Sequence, residues 1–151
     1  MTDVPRVVAI HVAPGTRLPM KSVDRVLAEA GRGLVGDRYH GTRHRHVSVQ
    51  SATALAEAAQ VFGAPIDAAG TRRNMTVSHG DVPRTPGERL RIGEVLLEVV
   101  RVAAPCKLLD DTLGRGAQEA LRRRGGSIFR VLVGGEISLG VTVVLEPTPA
   151  D

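Results

Sequence analysis

The residues best suited to chemistry fall into four groups along the chain. The single cysteine, Cys106, follows Pro105 and precedes Lys107 and an expected helix. A helix N-terminus and a neighbouring ammonium both favour the thiolate. A thiolate there attacks, carries sulfur or binds a soft metal; the plainer reading of a lone cysteine is a small buried hydrophobe. Arg72, Arg73 and Asn74 stand at the start of an expected strand, where guanidinium forks and an amide suit a phosphate or the edge of a heterocycle. The run RRRGGSIFRVLVGGEISLG joins three arginines to two Gly-Gly pairs, a composition that lets backbone N–H groups approach an anion or simply ends a charged helix in a tight turn. His40, His44 and His46 offer imidazoles, with His44 and His46 expected on one face of a strand. A metal site there lacks a nearby glutamate, because the first acid after His46 is Glu57, inside an expected helix. Hydrogen bonding, anion contact or exposure are the roles left to these histidines.

The balance of the chain narrows what such groups serve. Of 151 residues, 20 are Lys or Arg and 16 Asp or Glu, a formal charge of +4, and Lys21 and Lys107 are the only lysines. The arginine bias points to an anionic ligand at a defined site more than to a diffuse basic coat. Tyr39, Phe62 and Phe129 are the only aromatic residues, too few for base stacking along a nucleic acid, so nucleic-acid binding is not expected. No Walker-type or dinucleotide glycine motif occurs. No apolar run approaches the ~18 residues that span a bilayer, and no membrane role is expected. One cysteine and a start without signal-peptide character point to a cytoplasmic protein. The length fits one domain, residues 1 to 151.

The elements that must position these residues follow from pattern. Val7 to Ile10 reads as a short buried strand ending at Pro14-Gly15. Val23, Val26 and Leu27 suit a helix or an irregular strand equally. GRGLVGDRYHG is too glycine-rich for a regular element and delivers Asp37, Arg38, Tyr39 and His40 from a loop. His46, Ser48 and Gln50 alternate with Val47 and Val49, the period of a half-buried strand. A helix is predicted over residues 52 to 62 between Ser51 as N-cap and Gly63 as stop. Asn74 to Ser78 reads as a strand, Glu88 to Val102 as a hairpin turning at Gly93-Glu94, and Lys107 to Leu113 and Ala117 to Arg123 as short helices. Residues 127 to 146 are strand-rich. The whole predicts a mainly β fold, a closed or semi-closed sheet with short flanking helices.

Taken in order, GRGLVGDRYHG, RHRHVSVQS, TRRNMTV, Pro105-Cys106 and RGGSIFRVLVGGEISLG resemble a MOSC domain, the module also found at the C-terminus of molybdenum cofactor sulfurases, over about residues 20 to 145. The resemblance implies a β-barrel with small flanking helices and binding of the molybdenum cofactor, molybdopterin. Cys106 matches the family cysteine that is a molybdenum ligand in reductase members, or a sulfur carrier in proposed sulfur-transfer members. Arg72 and Asn74 match its R-x-N pattern, which contacts the pterin and its phosphate; Lys21, Arg38 and Arg130 are secondary binding candidates. The family's final Gly-Asp turn reads Gly140-Val141 here. The implied activity is a molybdenum-dependent reductase of N-hydroxylated or N-oxide compounds, drawing electrons from a partner protein. The alternatives are a sulfur or cofactor carrier served by a cysteine desulfurase, with a persulfide on Cys106, and a binding module for another phosphorylated small molecule.

Overall fold

The structure, a computed structural model, describes residues 4–16, 18–105 and 107–147. Its strands are β1 (Val7–Val12), β2 (Lys21–Ser22), β3 (Arg25–Glu29), β4 (Gly33–Leu34), β5 (Val47–Ser51), β6 (Met75–Val77), β7 (Arg89–Ile92), β8 (Val95–Val102), β9 (Ser127–Val133), β10 (Gly135–Ser138) and β11 (Val143–Glu146). Three short helices accompany them: α1 (Ala52–Phe62), α2 (Leu108–Leu113) and α3 (Ala117–Ala120). The expectation of a mainly β chain with short flanking helices therefore holds.

Eight strands form one sheet in the order β11-β7-β8-β9-β5-β6-β1-β2, and β10-β3-β4 form a second. The strand ladders do not close the large sheet into a barrel, so of the closed and semi-closed forms expected the sheet takes the second. β11 meets the start of β1 only through a bridge between Arg6 and Thr142, supported by Val7 N–H to Val141 O at 3.0 Å and Val143 N–H to Pro5 O at 2.8 Å. The segment with two readings is a strand: β3 pairs with β10, and its Val26 and Ala28 join Ile137 in the main core. Gly33–Leu34 adds a short strand where only loop was expected.

The core between the sheets is aliphatic apart from Phe129, which is fully buried with Ile10, Val49, Met75, Leu97 and Val99. A second cluster, Leu55, Ala58, Leu109, Ala117 and Leu121, joins the three helices. β5 shows why alternation misled. Val47 and Val49 enter the core, yet Ser48 and Gln50 on the other face are buried too. They satisfy their polar groups against residues 71 to 76: Gln50 Nε2 donates to Thr71 Oγ1 and Thr76 Oγ1, and Ser48 bonds Asn74. A central strand flanked by β9 and β6 has no solvent face to give away.

α1 matches the predicted bounds. Ser51 Oγ accepts from Thr53 N–H at 3.1 Å, and Gly63 ends the helix in the left-handed conformation. The expected helices after Pro105 are present but shorter, six and four residues.

Gly126 shows how tightly β5 is held. Its φ is +80°, and a Cβ there would lie 1.8 Å from the Val49 carbonyl oxygen, so backbone must move. Gly87, with φ +92°, has open space around it. Gly126→Ala should cost at least ~3 kcal/mol in urea unfolding against ~1 to 2 for Gly87→Ala, where only the left-handed backbone penalty applies. Equal costs would contradict the packing described.

Candidate functional site

Four of the residues singled out in the sequence gather at the C-terminal end of β1. Lys21 lies opposite Val12 where β2 pairs with β1. Arg38 donates its backbone N–H to Ala13 O at 2.8 Å. Asn74 donates through Nδ2 to His11 O at 3.0 Å. Arg72 donates through Nη1 at 2.8 Å to Leu18 O, in the loop leading to β2. Neither sequence proximity nor periodicity joins residues 21, 38, 72 and 74; the sheet does.

Asn74 is the node of this arrangement. Its Oδ1 accepts from Ser48 N–H at 2.9 Å and from Ser48 Oγ at 3.1 Å, while Nδ2 donates to His11 O and, at 3.2 Å, to Asp37 Oδ1. The amide orientation follows from its partners, because a backbone N–H must face the oxygen and a carbonyl must face the nitrogen. Both hydrogens and both lone pairs are thereby engaged inside the protein. Asp37, also buried, accepts from Ala13 N–H at 2.9 Å and from Tyr39 N–H at 3.3 Å, fixing the loop that carries Arg38 and Tyr39.

Arg72 sits in the left-handed region at φ +62°, after a 3₁₀ turn over Ala69–Thr71. That backbone reversal sends neighbouring guanidiniums to different loops. Arg73 reaches Gly125 O through Nε at 2.9 Å and Ala104 O through Nη2 at 3.4 Å. It thus ties the strand start to the turn leading to Pro105, a role the sequence showed only as one member of a basic tripeptide. Cys106 lies outside the described residues. Beside it, Pro105 borders a shallow depression with Ala104, Asp110, Gln118 and Glu119, and α2 begins two residues on.

The loop from Gly36 to His46 adds one cation the sequence reading passed over, Arg45, beside Arg38. The guanidinium carbons of Arg38 and Arg45 lie 4.5 and 4.2 Å from the Tyr39 ring centroid. Burial depresses the Arg45 pKa; the Arg101 and Arg38 charges push the same way, and Tyr39 and Asp37 oppose them. Among the described residues, none of Arg38, Arg45 and Arg101 forms an ion pair.

Arg130 is placed otherwise: its Nε lies 3.5 Å from Glu98, which also faces Arg89. The histidines separate. His40 pairs with Glu29 at 2.5 Å, exposed His44 precedes β5 instead of sharing its face, and His46 is buried. No cluster of three or more metal-ligating side chains occurs among the described residues. An apolar groove of about 480 Å³, lined by Pro5, Val77, Leu90 and Val143 to Leu145, lies where β6 ends, away from Asn74 at its start. Among the described residues no helix is long and apolar enough to cross a membrane.

His46 has one tautomer. Its Nδ1 accepts from Val131 N–H at 2.9 Å, so Nε2 carries the proton donated to Thr42 O at 2.7 Å. Burial holds its pKa below the ordinary 6.5, outweighing the Thr42 carbonyl, and the Arg130, His44 and His40 charges add to the depression. Burial does the same to His11, against the pull of Asp67.

Two outcomes follow from this network. Asn74→Ala leaves the buried Ser48 N–H without its acceptor and strips one of three donors from Asp37, and should cost ~2 to 4 kcal/mol, with Asn74→Asp no better, since a carboxylate cannot donate to His11 O and would face Asp37. A urea midpoint change worth under ~1 kcal/mol would contradict the node. For His46 the folded pKa is depressed, so its contribution is complete above the unfolded value near 6.5 and is lost as pH falls from there through the folded pKa. Urea midpoints between about pH 7.5 and 5 should fall more steeply in wild type than in His46→Gln; parallel profiles would contradict it.

A family model described as MOSC domain matches residues 36–144. Among solved structures, the fold is similar to the YuaD protein from Bacillus subtilis, 17% identical with 93% of this chain and 94% of that chain covered, TM-score 0.80. It is similar to YiiM from Geobacillus stearothermophilus, 18% identical over 95% and 75% of the two chains, TM-score 0.74. YiiM from Escherichia coli gives 17% identity over 97% and 72%, TM-score 0.70. At these identities the likeness is one of fold. No curated protein matches the chain significantly.

Proposed function

The chain belongs to the MOSC domain family, which is associated with molybdenum cofactor binding, and on that premise we propose that it binds this pterin-based cofactor at the end of β1. The observation that carries the reading is that Lys21, Arg38 and Arg72 meet at one strand end beside Asp37, whose carboxylate is already engaged by three internal donors. That donor set suits a phosphate dianion. Lys21, Arg38 and Arg72 would hold the phosphate. Asn74 would contribute by position, keeping β1, β5 and the Asp37 loop in register, and Arg73 by fixing the turn before Pro105. Arg130 would stand at the margin, held by Glu98.

Cys106 is the proposed thiolate ligand, a soft donor matched to a soft metal. When bound, the cofactor supplies a redox-active metal centre able to accept an oxygen atom. The protein's own share is to bind and orient that group and to present a thiolate beside a basic rim. The activity proposed is reduction of N-hydroxylated or N-oxide compounds in the cytoplasm, with electrons from a partner protein. The carrier alternative, with Cys106 taking sulfur from a cysteine desulfurase, is separated by experiment.

Protein made in a host that synthesises the cofactor should retain roughly equimolar molybdenum and pterin, read by metal analysis and pterin fluorescence. Arg72→Gln should lower retention about tenfold, the loss of one charge-assisted contact. Cys106→Ser should keep pterin but lose turnover of an N-hydroxylated substrate with an artificial donor. Sulfur uptake on Cys106 without turnover in the wild type would favour the carrier. Wild-type protein that retains neither molybdenum nor pterin would overturn the reading.

A further inference from the structure

Among the described residues two histidines are buried, and only one of them is satisfied. His46 engages both ring nitrogens, Nδ1 with Val131 N–H and Nε2 with Thr42 O. His11 is 7% exposed, yet its Nδ1 is buried with no partner, and its imidazole makes no hydrogen bond among the described residues. Burying a polar group in that condition is costly, and such a group calls for a partner from outside the chain. Strand pairing sets where the ring lies. Ile10 and Val12 enter the main core, so His11 between them stands on the opposite face of β1. Asn74 does the same on β6 before Met75, and the pairing of Ile10 with Met75 puts His11 beside Asn74. Backbone binds the two residues, His11 N–H to Asn74 O at 2.7 Å. The imidazole therefore belongs to the strand end at which Lys21, Arg38 and Arg72 meet. The peptide groups there are spent: His11 O accepts from Asn74 Nδ2, Ala13 O accepts from Arg38 N–H, and Ala13 N–H donates to Asp37. The ring remains unspent. Gln50 Oε1, on the same face of the sheet, is the other uncharged side-chain atom buried without a partner among the described residues.

Charge says what the ring suits. Burial keeps it neutral near pH 7, outweighing the pull of Asp67, so it adds no counter-charge for a phosphate. A neutral imidazole offers one donor and one acceptor, the complement of a heterocycle edge that carries both. We propose that the His11 imidazole hydrogen-bonds the pterin ring of the cofactor, leaving the phosphate to Lys21, Arg38 and Arg72. The assignment rests on the cofactor reading above. It makes His11 a binding residue and asks no proton transfer of the ring.

Cofactor-free and cofactor-loaded preparations of the full chain test it. His11→Phe removes ring nitrogens that bond nothing in the free protein, so its urea midpoint without cofactor should stay at or above the wild-type value. His46→Phe, which breaks two internal bonds, should lower the midpoint. Made in a host that synthesises the cofactor, His11→Phe should retain about tenfold less pterin by fluorescence. His11→Asn, whose amide restores a donor and an acceptor near the place of Nδ1, should recover part of that loss. With the histidine rings labelled with ¹⁵N, loading should move the His11 signals and leave those of His46 in place. Equal retention in wild type and His11→Phe, or His11 signals unmoved by loading, would overturn the assignment while the cofactor reading stands. So would midpoints of both His11 variants as low as that of His46→Phe, which would mean that the ring is already bonded within the protein. Wild-type protein that retains no pterin would defeat the cofactor reading, and the assignment with it.

Discussion

Everything at the end of β1 depends on one buried amide. Asn74 bonds β5 through Ser48, β1 through His11 O and the Asp37 loop through its carboxylate, so three segments far apart in sequence share one hydrogen-bonding group. The low dielectric of the interior makes such a node strong when complete and costly when a member is lost. It also explains why Asp37 tolerates burial. Two backbone N–H groups and the Asn74 amide stand in for water.

That economy shapes the electrostatics. The nearby cations are held by carbonyl oxygens, by backbone or by an aromatic ring: Arg72 by Leu18 O, Arg73 by Gly125 O and Ala104 O, Arg45 by Tyr39. Elsewhere in the sheet the arginines are paired conventionally, Arg130 and Arg89 with Glu98 and Arg91 with Glu146. The basic residues of a chain with formal charge +4 thus include structural pairs across the sheet and a group gathered near the end of β1 that adds positive potential there. An anionic ligand is the natural complement of the second set.

Much of the framework was legible in sequence because its signals are local. Ser51 and Gly63 bound α1, and Gly93-Glu94 turns the β7–β8 hairpin as the pattern implies. What escaped depends on partners distant in the chain. β5 reads as half-buried because nothing within it shows that Thr71, Asn74 and Thr76 will satisfy Ser48 and Gln50. The strand character of residues 25 to 29 is decided by pairing with β10, over a hundred residues on. In the site, types were legible and roles were not: Arg72, Asn74, Lys21 and Arg38 were singled out, but that Asn74 spends all its bonds internally, and that Arg45 lies on the Tyr39 ring with no ion pair among the described residues, are facts of tertiary packing. Arg45 had one signal, its place in the RHRH run, and that run drew attention to its histidines.

The central claim is that the cations at the end of β1 hold a phosphate, and ³¹P NMR of the cofactor-loaded protein tests it most directly. A phosphate monoester in water takes up its second proton near pH ~6. Held among Lys21, Arg38 and Arg72, the dianion should persist to distinctly lower pH, and Arg72→Gln should move the titration back toward that of the free group. A bound phosphate that titrates as it does in water, in wild type and variant alike, would contradict the account.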